Sequence, residues 1–196
     1  MKNVAVLVSG GGTNLQALID AQNNGIIKSG KITLVISNKA DAYALTRAKN
    51  AGIKTEIITK NSFENKELFE DKIITVLKEN NIDYIVLAGF MLILSKNFIK
   101  HFENKIINVH PSLIPSFCGE GFYGLKVHES ALNYGVKVTG ATVHFVNEIP
   151  DGGKIIMQKS VDVYENDTPE ILQRRVMQEA EWKILPLSLE KICSEK

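Results

Sequence analysis

Apolar runs and amphipathic stretches alternate along the first 110 residues of the chain. Residues 4–8 are continuously apolar, which is typical of a strand buried on both faces of a parallel sheet. Leu15, Leu18 and Ile19 follow at the i, i+3, i+4 spacing of a helix face, and this helix is predicted to stop near Asn24-Gly25. The same alternation predicts further helices at 42–51, 63–79 and after Ser95, and further strands at 32–37, 55–58, 84–88 and 106–109.

The pattern changes after position 110. Residues 111–124 form a loop rich in Gly, Pro and Ser, and residues 125–134 are predicted to be helical. Apolar segments at 136–146 and 154–163 flank a Pro-Asp-Gly-Gly turn, which indicates a hairpin, and Thr168-Pro169-Glu170 starts a final helix to about residue 192. The predicted fold is α/β: a mostly parallel, twisted, Rossmann-like sheet with helices on both faces and a C-terminal antiparallel hairpin at its edge.

The overall composition argues against several classes of protein. The chain has 196 residues, 44% hydrophobic and 23% charged, which is typical of one globular domain. A net charge of +1 leaves no positive excess to hold a polyanion, so we expect no nucleic-acid partner. Cys118 and Cys193 form neither a disulfide framework nor a zinc motif. No apolar run reaches the ~18 residues of a membrane span and no signal peptide precedes the first strand, so we expect a cytoplasmic protein.

The turn after the first strand is rich in glycine. Residues 9–14, here called the glycine turn, lie where a buried strand meets a helix start, and backbone N–H groups at such a place bind anions. We expect Gly12, Thr13 and Asn14 to donate to a phosphate, although a tight strand-to-helix turn without a ligand has the same pattern. Leu15 replaces the last glycine of a dinucleotide fingerprint, and no Gly-Lys-Ser/Thr follows, so we expect neither NAD nor ATP.

A second polar segment, Asn108-Val109-His110-Pro111-Ser112, ends a predicted central strand. Residues two apart on a strand share one side of the sheet, so Asn108 and His110 project together at the end where α/β sheets bind ligands. Asn108 can donate to a developing oxyanion, and His110 can exchange a proton. The alternative is a strand-end asparagine that caps a turn beside a solvated histidine.

The Pro-Asp-Gly-Gly turn allows two interpretations. It is either a hairpin turn alone, or a turn that places the Asp151 carboxylate near His110 and raises the pKa of that histidine. His144 in an apolar strand is expected to be a hydrogen-bonded structural histidine, and His101 and His128 on predicted helices to be solvated. No histidine pair has a metal-binding spacing, so we expect no metal.

These elements, in this order, resemble the formyltransferase family that uses 10-formyltetrahydrofolate, in its glycinamide ribonucleotide branch. The similarity extends over nearly the whole chain. The segments that carry it are Ser9-Gly10-Gly11-Gly12-Thr13-Asn14-Leu15-Gln16, Ser37-Asn38-Lys39-Ala40, Leu87-Ala88-Gly89-Phe90-Met91, Asn108-Val109-His110-Pro111-Ser112-Leu113-Ile114-Pro115 and Val143-His144-Phe145-Val146 through Asp151-Gly152-Gly153.

The resemblance implies a single formyltransferase domain, with a phosphate-binding half at 1–110 and the active-site loop, hairpin and C-terminal helix at 111–196. It implies transfer of a formyl group from 10-formyltetrahydrofolate to the amine of N1-(5-phospho-D-ribosyl)glycinamide, a step of purine biosynthesis, by a monomer or homodimer. The residues that it assigns are Asn108, His110 and Asp151 as catalytic, Gly12, Thr13, Asn14 and Glu181 as ribonucleotide-binding, and Lys66, Met91, Leu92, Ile93, Leu94 and Asn108 as folate-binding.

Three departures from the family pattern are visible. Leu92 and Lys66 each stand where many relatives have arginine, the loop at 116–124 is longer than in some relatives, and alignment around Glu181 needs a one-residue shift. The rival enzymes of the family are methionyl-tRNA formyltransferase and formyltetrahydrofolate hydrolase, which carry an additional domain for which we expect no room in this chain. A nucleotide-phosphate-binding regulator without turnover is the alternative from another class.

Overall fold

The computed structural model describes residues 1–195, which form one mixed sheet and its covering helices. The strands are β1 (Lys2–Val8), β2 (Gly30–Ser37), β3 (Lys54–Ile57), β4 (Tyr84–Leu87), β5 (Ile106–His110), β6 (Val138–Phe145) and β7 (Ile155–Asp162). The α-helices are α1 (Thr13–Asn23), α2 (Tyr43–Asn50), α3 (Lys66–Glu79), α4 (Lys96–His101), α5 (Leu125–Tyr134), α6 (Pro169–Val176) and α7 (Trp182–Ser194). None of the helices within residues 1–195 combines the length and apolar composition that a bilayer crossing requires.

The sheet has the strand order β3-β2-β1-β4-β5-β6-β7. The first five strands in this order pair in parallel, whereas β5 pairs with β6 and β6 with β7 in antiparallel fashion. The predicted fold class, a mostly parallel α/β sheet with an antiparallel hairpin at the edge, is therefore confirmed.

Strand β1 shows why its apolar run is continuous. Val4, Val6 and Val8 face one side of the sheet and pack with residues of α1, α2, α5, α6 and α7, whereas Ala5 and Leu7 face the other side and pack with α3 and α4. Because successive side chains of a strand alternate between faces, a strand covered by helices on both sides needs apolar residues at every position.

The order of the strands reverses between β1 and β4, which are neighbours in space but are separated in the chain by β2 and β3. Ligands of open α/β sheets bind outside the carboxyl ends of the strands at such a reversal. The loops that follow β1 and β4 contact each other there, because the Met91 N–H donates to Ser9 Oγ at 2.9 Å. The topology therefore places the glycine turn, the loop after β4 and the end of β5 around one crevice.

The predicted start signals of two helices are confirmed. Ser95 Oγ accepts the N–H of Phe98 at the start of α4, and Thr168 Oγ1 accepts the N–H of Ile171 at the start of α6. The predicted single final helix differs, because a π-helical segment at Met177–Glu181 separates α6 from α7. A π turn admits an extra residue into the helical ladder, and apolar periodicity alone does not reveal it.

The connection between the two hairpin strands also differs from the prediction. β6 and β7 are joined by nine residues, 146–154, whereas the predicted strands leave a connection of seven, 147–153. Asp151 has a φ of 55°, and a Cβ on Gly153 would lie 1.6 Å from the Phe145 carbonyl oxygen. The connection therefore needs glycine at position 153, and it returns towards the end of the sheet instead of closing at once.

Candidate active site

Asn108 and His110 are the third and the last residue of β5. Both side chains contact residues of the neighbouring hairpin. In the antiparallel register Asn108 is paired with His144 and His110 with Thr142. Asn108 Nδ2 lies 3.4 Å from His144 Nε2, and the Nδ1 of that histidine is 2.8 Å from the Phe145 carbonyl oxygen. His144 Nδ1 therefore carries a proton, and its Nε2 orients the Asn108 carboxamide.

The Asp151 carboxylate lies between the two histidines. Its Oδ2 is 3.4 Å from His110 Nδ1 and its Oδ1 is 3.5 Å from His144 Nε2. The backbone N–H of Gly119 donates to Oδ2 at 2.9 Å. The structure thus brings the three predicted residues Asn108, His110 and Asp151 together with His144, and these four side chains are called the histidine cluster below.

His110 has a hydrogen-bond acceptor on each side of its ring. Nε2 is 2.9 Å from the Phe117 carbonyl oxygen, while Nδ1 faces the Asp151 carboxylate. A neutral imidazole donates through one nitrogen only, whereas the imidazolium donates through both, so both acceptors are satisfied together only by the protonated ring. Phe117 adopts a left-handed φ of 48°, which is costly for a bulky residue and directs its carbonyl at the histidine.

The electrostatics of His110 differ from the sequence expectation. Burial lowers its pKa below the ordinary value of 6.5, and the nearby Asp151 carboxylate opposes this effect without overcoming it. Burial likewise raises the pKa of Asp151, but the neighbouring His144 and His110 and the hydrogen bond from the Gly119 N–H bring it below its ordinary value. The prediction that Asp151 leaves His110 with a raised pKa is therefore wrong, because desolvation of the buried ring is the larger effect.

The glycine turn begins α1 without a side-chain cap. Gly12 occupies the N-cap position with a φ of 72°, and a Cβ at this position would lie 2.6 Å from the Ala44 Cβ. Within residues 1–195 no protein acceptor bonds the backbone N–H of Gly12, Thr13 or Asn14. Free N–H groups at the positive end of a helix dipole can bind an anion, so the geometry is compatible with the predicted phosphate-binding role of the turn.

Asn14 and Glu181 meet beside this turn, although they are far apart in the chain. Asn14 Nδ2 donates to Glu181 Oε2 at 2.7 Å. Glu181 is the last residue of the π-helical segment and is only 6% exposed. Burial raises the pKa of this carboxyl to about 7, and the hydrogen bond from Asn14 partly offsets the effect. Glu181, predicted from the resemblance to bind the same substrate as the glycine turn, thus contacts one residue of that turn.

The segment predicted to bind folate lies beside a shallow cleft of about 280 Å³. Lys66, Met91, Leu92 and Ile93 line it, whereas Leu94 is buried in the core with 7% exposure. The cleft is also lined by three residues that were not predicted as site residues, Lys60, Phe69 and Glu70. Lys66 Nζ lies 3.6 Å from the buried Glu70 carboxylate, which also accepts the N–H of Ser95 at 3.0 Å and so fixes the end of the loop.

His128 was predicted to be solvated, and this prediction is wrong: its side chain is only 1% exposed. His101 is exposed, as expected. His128 is one of the buried residues of α5, and its burial results from tertiary packing that helical periodicity at a single histidine does not show. Burial lowers its pKa to about 4, and the charge of His110 contributes, so it is a neutral neighbour of the histidine cluster.

Acidic and metal-ligating side chains do not gather into a metal site: among residues 1–195 no group of three or more His, Cys, Asp or Glu has the geometry to hold an ion. The backbone groups of Phe117 and Gly119 at the histidine cluster were not found from the sequence. Hydrogen bonds made by a loop backbone do not depend on residue type, so the sequence does not reveal them. Only the left-handed conformation of Gly119, with a φ of 88°, is suggested by its being a glycine.

The chain is similar to known proteins over almost its full length. The formyl transferase family model matches residues 2–189. Phosphoribosylglycinamide formyltransferase of Haemophilus influenzae is 45% identical over 187 residues, which are 95% of this chain and 85% of that protein. The human trifunctional purine biosynthetic protein adenosine-3 is 47% identical over 191 residues, 97% of this chain but only 18% of that much longer protein.

The similarity extends to three-dimensional structure. The crystal structure of glycinamide ribonucleotide transformylase 1 from Symbiobacterium toebii superposes with a TM-score of 0.92 at 39% identity, and the match covers 98% of this chain and 88% of that one. The matched part includes the end of β5, the hairpin connection and the glycine turn. The chain belongs to the formyl transferase family.

Proposed function

We propose that the chain transfers a formyl group from 10-formyltetrahydrofolate to the amine of N1-(5-phospho-D-ribosyl)glycinamide, giving the N-formyl product and tetrahydrofolate. The observation that carries this proposal is the histidine cluster. At the carboxyl end of β5 the Asn108 carboxamide lies 3.4 Å from His144, and the Asp151 carboxylate lies 3.4 Å from His110 and 3.5 Å from His144. The anion site of the glycine turn opens onto the same crevice, as a substrate with a phosphate and a reactive amine requires.

In the proposed reaction the glycinamide amine attacks the formyl carbon, and negative charge develops on the formyl oxygen. Asn108 Nδ2, which His144 orients at 3.4 Å, donates to this oxygen. A donor fixed in advance stabilises the tetrahedral intermediate without reorganising during the reaction. The new C–N bond forms to the glycinamide nitrogen, which loses a proton to solvent. The oxyanion then re-forms the carbonyl as the bond between the formyl carbon and N10 of the folate breaks.

The departing N10 needs a proton, and we assign its delivery to His110. Because burial lowers the pKa of this histidine, its imidazolium is a stronger acid than in water. Asp151 stabilises the charged ring through the 3.4 Å contact at Nδ1. The proton to be delivered is the one on Nε2, which faces the Phe117 carbonyl, so the substrate takes the place of that carbonyl when it binds.

The remaining assignments concern binding. Gly12, Thr13 and Asn14 hold the ribonucleotide phosphate, and Glu181 contacts the same substrate. The folate lies along residues 91–94 and near Lys66, with its formyl group at Asn108. The cleft supports this placement, since Met91, Leu92 and Ile93 offer apolar contacts to a flat ring system and the lysines among its lining residues can attract a carboxylate.

We further propose that the protein acts in the cytoplasm as a monomer or homodimer on small molecules, with neither a nucleic-acid partner nor a metal. The net charge of +1 supports the first of these exclusions. The mass measured in solution tests the oligomeric state, and activity in the presence of a chelator tests whether a metal is needed.

One assay tests the proposed function. The protein is mixed with 10-formyltetrahydrofolate and glycinamide ribonucleotide, and tetrahydrofolate release is followed. We expect release that requires the ribonucleotide. Release without it would identify a formyltetrahydrofolate hydrolase, formylation of methionyl-tRNA alone would identify the tRNA enzyme, and no release under any condition would favour a regulator.

A further inference from the structure

The connection between β6 and β7 carries Asp151 at the end of a segment that lies outside the core. Residues 147–150 are all exposed, and the side chain of Ile149 is 65% exposed. The Asp151 side chain that follows them is only 13% exposed and faces both histidines of the histidine cluster. Packing of the exposed side chains therefore does not fix this carboxylate, which leaves the hydrogen bonds of the connection.

Asp151 is the third residue of a tight turn. The Gly152 N–H donates to the Ile149 carbonyl at 2.9 Å and closes the four residues 149–152, here called the aspartate turn. Asp151 has a φ of 55° in it. A positive φ at the third position of a turn is usually supplied by glycine or asparagine, and it is less favourable for other residues with a Cβ. The aspartate turn thus keeps Asp151 in a backbone conformation that the residue does not prefer by itself.

The side chain of Asn147 bonds both ends of the aspartate turn. Its Oδ1 accepts the N–H of Ile149 at 3.0 Å, and its Nδ2 donates to the Gly152 carbonyl at 3.2 Å. The bond to Ile149, two residues on, is common for asparagine. The bond to Gly152 passes across Asp151 and joins the far end of the turn to the near one. A carboxamide can make both bonds because it carries a donor and an acceptor on one planar group.

The neighbouring Glu148 makes a different kind of contact. Its carboxylate lies 2.9 Å from Lys96 Nζ on α4, and the two side chains are 54% and 79% exposed. An ion pair so accessible to water contributes little to stability, and it does not involve the aspartate turn. Among the hydrogen bonds of residues 1–195, the backbone of the aspartate turn has side-chain partners only in Asn147.

We propose that Asn147 is a positioning residue: by bonding both ends of the aspartate turn it holds the Asp151 carboxylate against His110. It acts through Asp151 and takes no part in the bond changes at the formyl carbon. The inference rests on the proposed function for its effect on the rate. The placement of a carboxylate beside His110 does not depend on which group the protein transfers.

The test makes three substitutions in two backgrounds. Asn147→Ala removes both bonds, and Asn147→Ser keeps a weaker acceptor for the Ile149 N–H but is too short to bond the Gly152 carbonyl. Glu148→Gln is the matched control, since it removes an exposed charge one residue away and leaves the bonds of the aspartate turn intact. Each substitution is made in the wild type and in Asp151→Asn, where the carboxylate to be positioned is absent.

In the wild-type background we expect Asn147→Ala to lower kcat about 10-fold and Asn147→Ser about 3-fold, because misplacing a group near the reacting atoms slows the chemical step. Both KM values should change less than about 3-fold, and Glu148→Gln should match the wild type. In Asp151→Asn, Asn147→Ala should lower kcat less than about 2-fold further, since both substitutions act through one contact. An equal loss in the two backgrounds, or no loss in the wild type, would overturn the proposal.

An NMR titration of the His110 ring separates this inference from the proposed function, because it needs no substrate. The Asp151 carboxylate raises the pKa of His110 against the larger effect of burial. Displacing the carboxylate in Asn147→Ala should therefore lower the pKa of His110 by at least about half of the decrease that Asp151→Asn causes. Glu148→Gln should leave this pKa at its wild-type value.

The other ionisable neighbours of His110, His144 and His128, are the same in every variant, so they do not contribute to the difference. If the wild-type protein transfers no formyl group but the pKa of His110 falls in Asn147→Ala, the proposed function fails and the positioning role stands. If Asn147→Ala leaves the pKa of His110 unchanged, the role of Asn147 fails whatever the activity.

Discussion

The histidine cluster and the glycine turn lie on the same crevice but differ in whether their polar groups have hydrogen-bond partners within the protein. In the cluster, Asp151 is bonded to Gly119 and contacts both histidines, and His110 reaches the Phe117 carbonyl. In the turn, the N–H groups that face the crevice have no protein acceptor within residues 1–195. The cluster is organised before any ligand arrives, whereas the turn is completed only by its ligand.

This difference predicts how substitutions act. Groups that hold one another in place near the reacting atoms affect the chemical step, because their geometry is set for the transition state. Groups that have no partner until a ligand binds contribute equally to the ground state and the transition state, so their loss raises KM. The four predictions below test the comparison, from the largest expected effect to the smallest.

The largest effect is expected in the histidine cluster. His110→Ala removes the proposed proton donor, and Asp151→Asn removes the carboxylate that stabilises its charged form, so each should slow formyl transfer ~10²-fold or more. Pre-steady-state rates at saturating substrate measure this directly, and circular dichroism checks that the fold is kept. Wild-type rates in either folded variant would remove the proposed catalytic roles.

The second prediction concerns Glu181, the one buried carboxyl at the glycine turn for which burial raises the pKa to about 7. A raised pKa means that the folded state binds the proton more tightly than the unfolded state. The resulting stabilisation is complete below the unfolded pKa of 4.5 and is lost as the pH rises through about 7. Above that pH the folded protein holds a buried, charged carboxylate.

Glu181→Gln should therefore reduce the loss of unfolding free energy between pH 5 and pH 8 by about 2–3 kcal/mol, measured by urea denaturation. Glutamine keeps an acceptor for Asn14 and has no charge to bury. Glu179→Gln is the matched control, since Glu179 is exposed two residues earlier and should leave the pH dependence unchanged. Identical pH profiles for wild type and Glu181→Gln would show that this carboxyl titrates normally.

Sequence patterns were most informative where a property depends on neighbours in the chain. Strand alternation is sufficient to place Asn108 beside His110, and a glycine-rich turn before a helix is sufficient to predict an anion site. Apolar periodicity and cap residues likewise predict most helix and strand positions within two or three residues, because these signals are local.

Contacts between distant segments could not be predicted in this way. Nothing in residues 146–154 specifies that their loop returns to β5, and the approach of Asp151 to His110 was expected only from the family resemblance. The burial of His128 depends on how α5 packs against the rest of the fold, and the contact of Arg47 with Gly11 depends on how α2 is placed beside the turn. Such distances are set by tertiary packing, which no single segment of the sequence specifies.

The third prediction tests the glycine turn as a binding element. Asn14→Ala removes the carboxamide whose Nδ2 bonds Glu181 at 2.7 Å and keeps the backbone N–H of this residue. We expect the ribonucleotide KM to rise about 10-fold while kcat changes less than 3-fold, because the lost contact acts on bound substrate at every stage. Steady-state kinetics at saturating folate measure both constants.

An exposed asparagine supplies the control for this substitution. Asn61→Ala lies in the short turn before α3, and it should leave both constants unchanged. A fall in kcat for Asn14→Ala as large as the rise in KM would contradict the division between binding and chemistry, and an unchanged KM would remove Asn14 from the phosphate site.

The smallest effect is expected at Cys118, which lies between the two loop residues that contact the histidine cluster. Phe117 and Gly119 make those contacts through backbone groups, while the Cys118 thiol is directed at the Pro115 carbonyl at 3.3 Å. The cluster should therefore tolerate a change of this side chain. We expect kcat of Cys118→Ala to match wild type within 2-fold, because no contact to His110 or Asp151 is altered.

Gly119→Ala makes the contrasting change one residue later. Its φ of 88° is strained for alanine, so the N–H that donates to Asp151 should be displaced and kcat should fall about 10-fold. A large loss in Cys118→Ala would mean that the thiol itself supports the reaction. Equal, wild-type rates in both variants would mean that the loop backbone does not organise the cluster, and its order would then have to come from β5 and the hairpin alone.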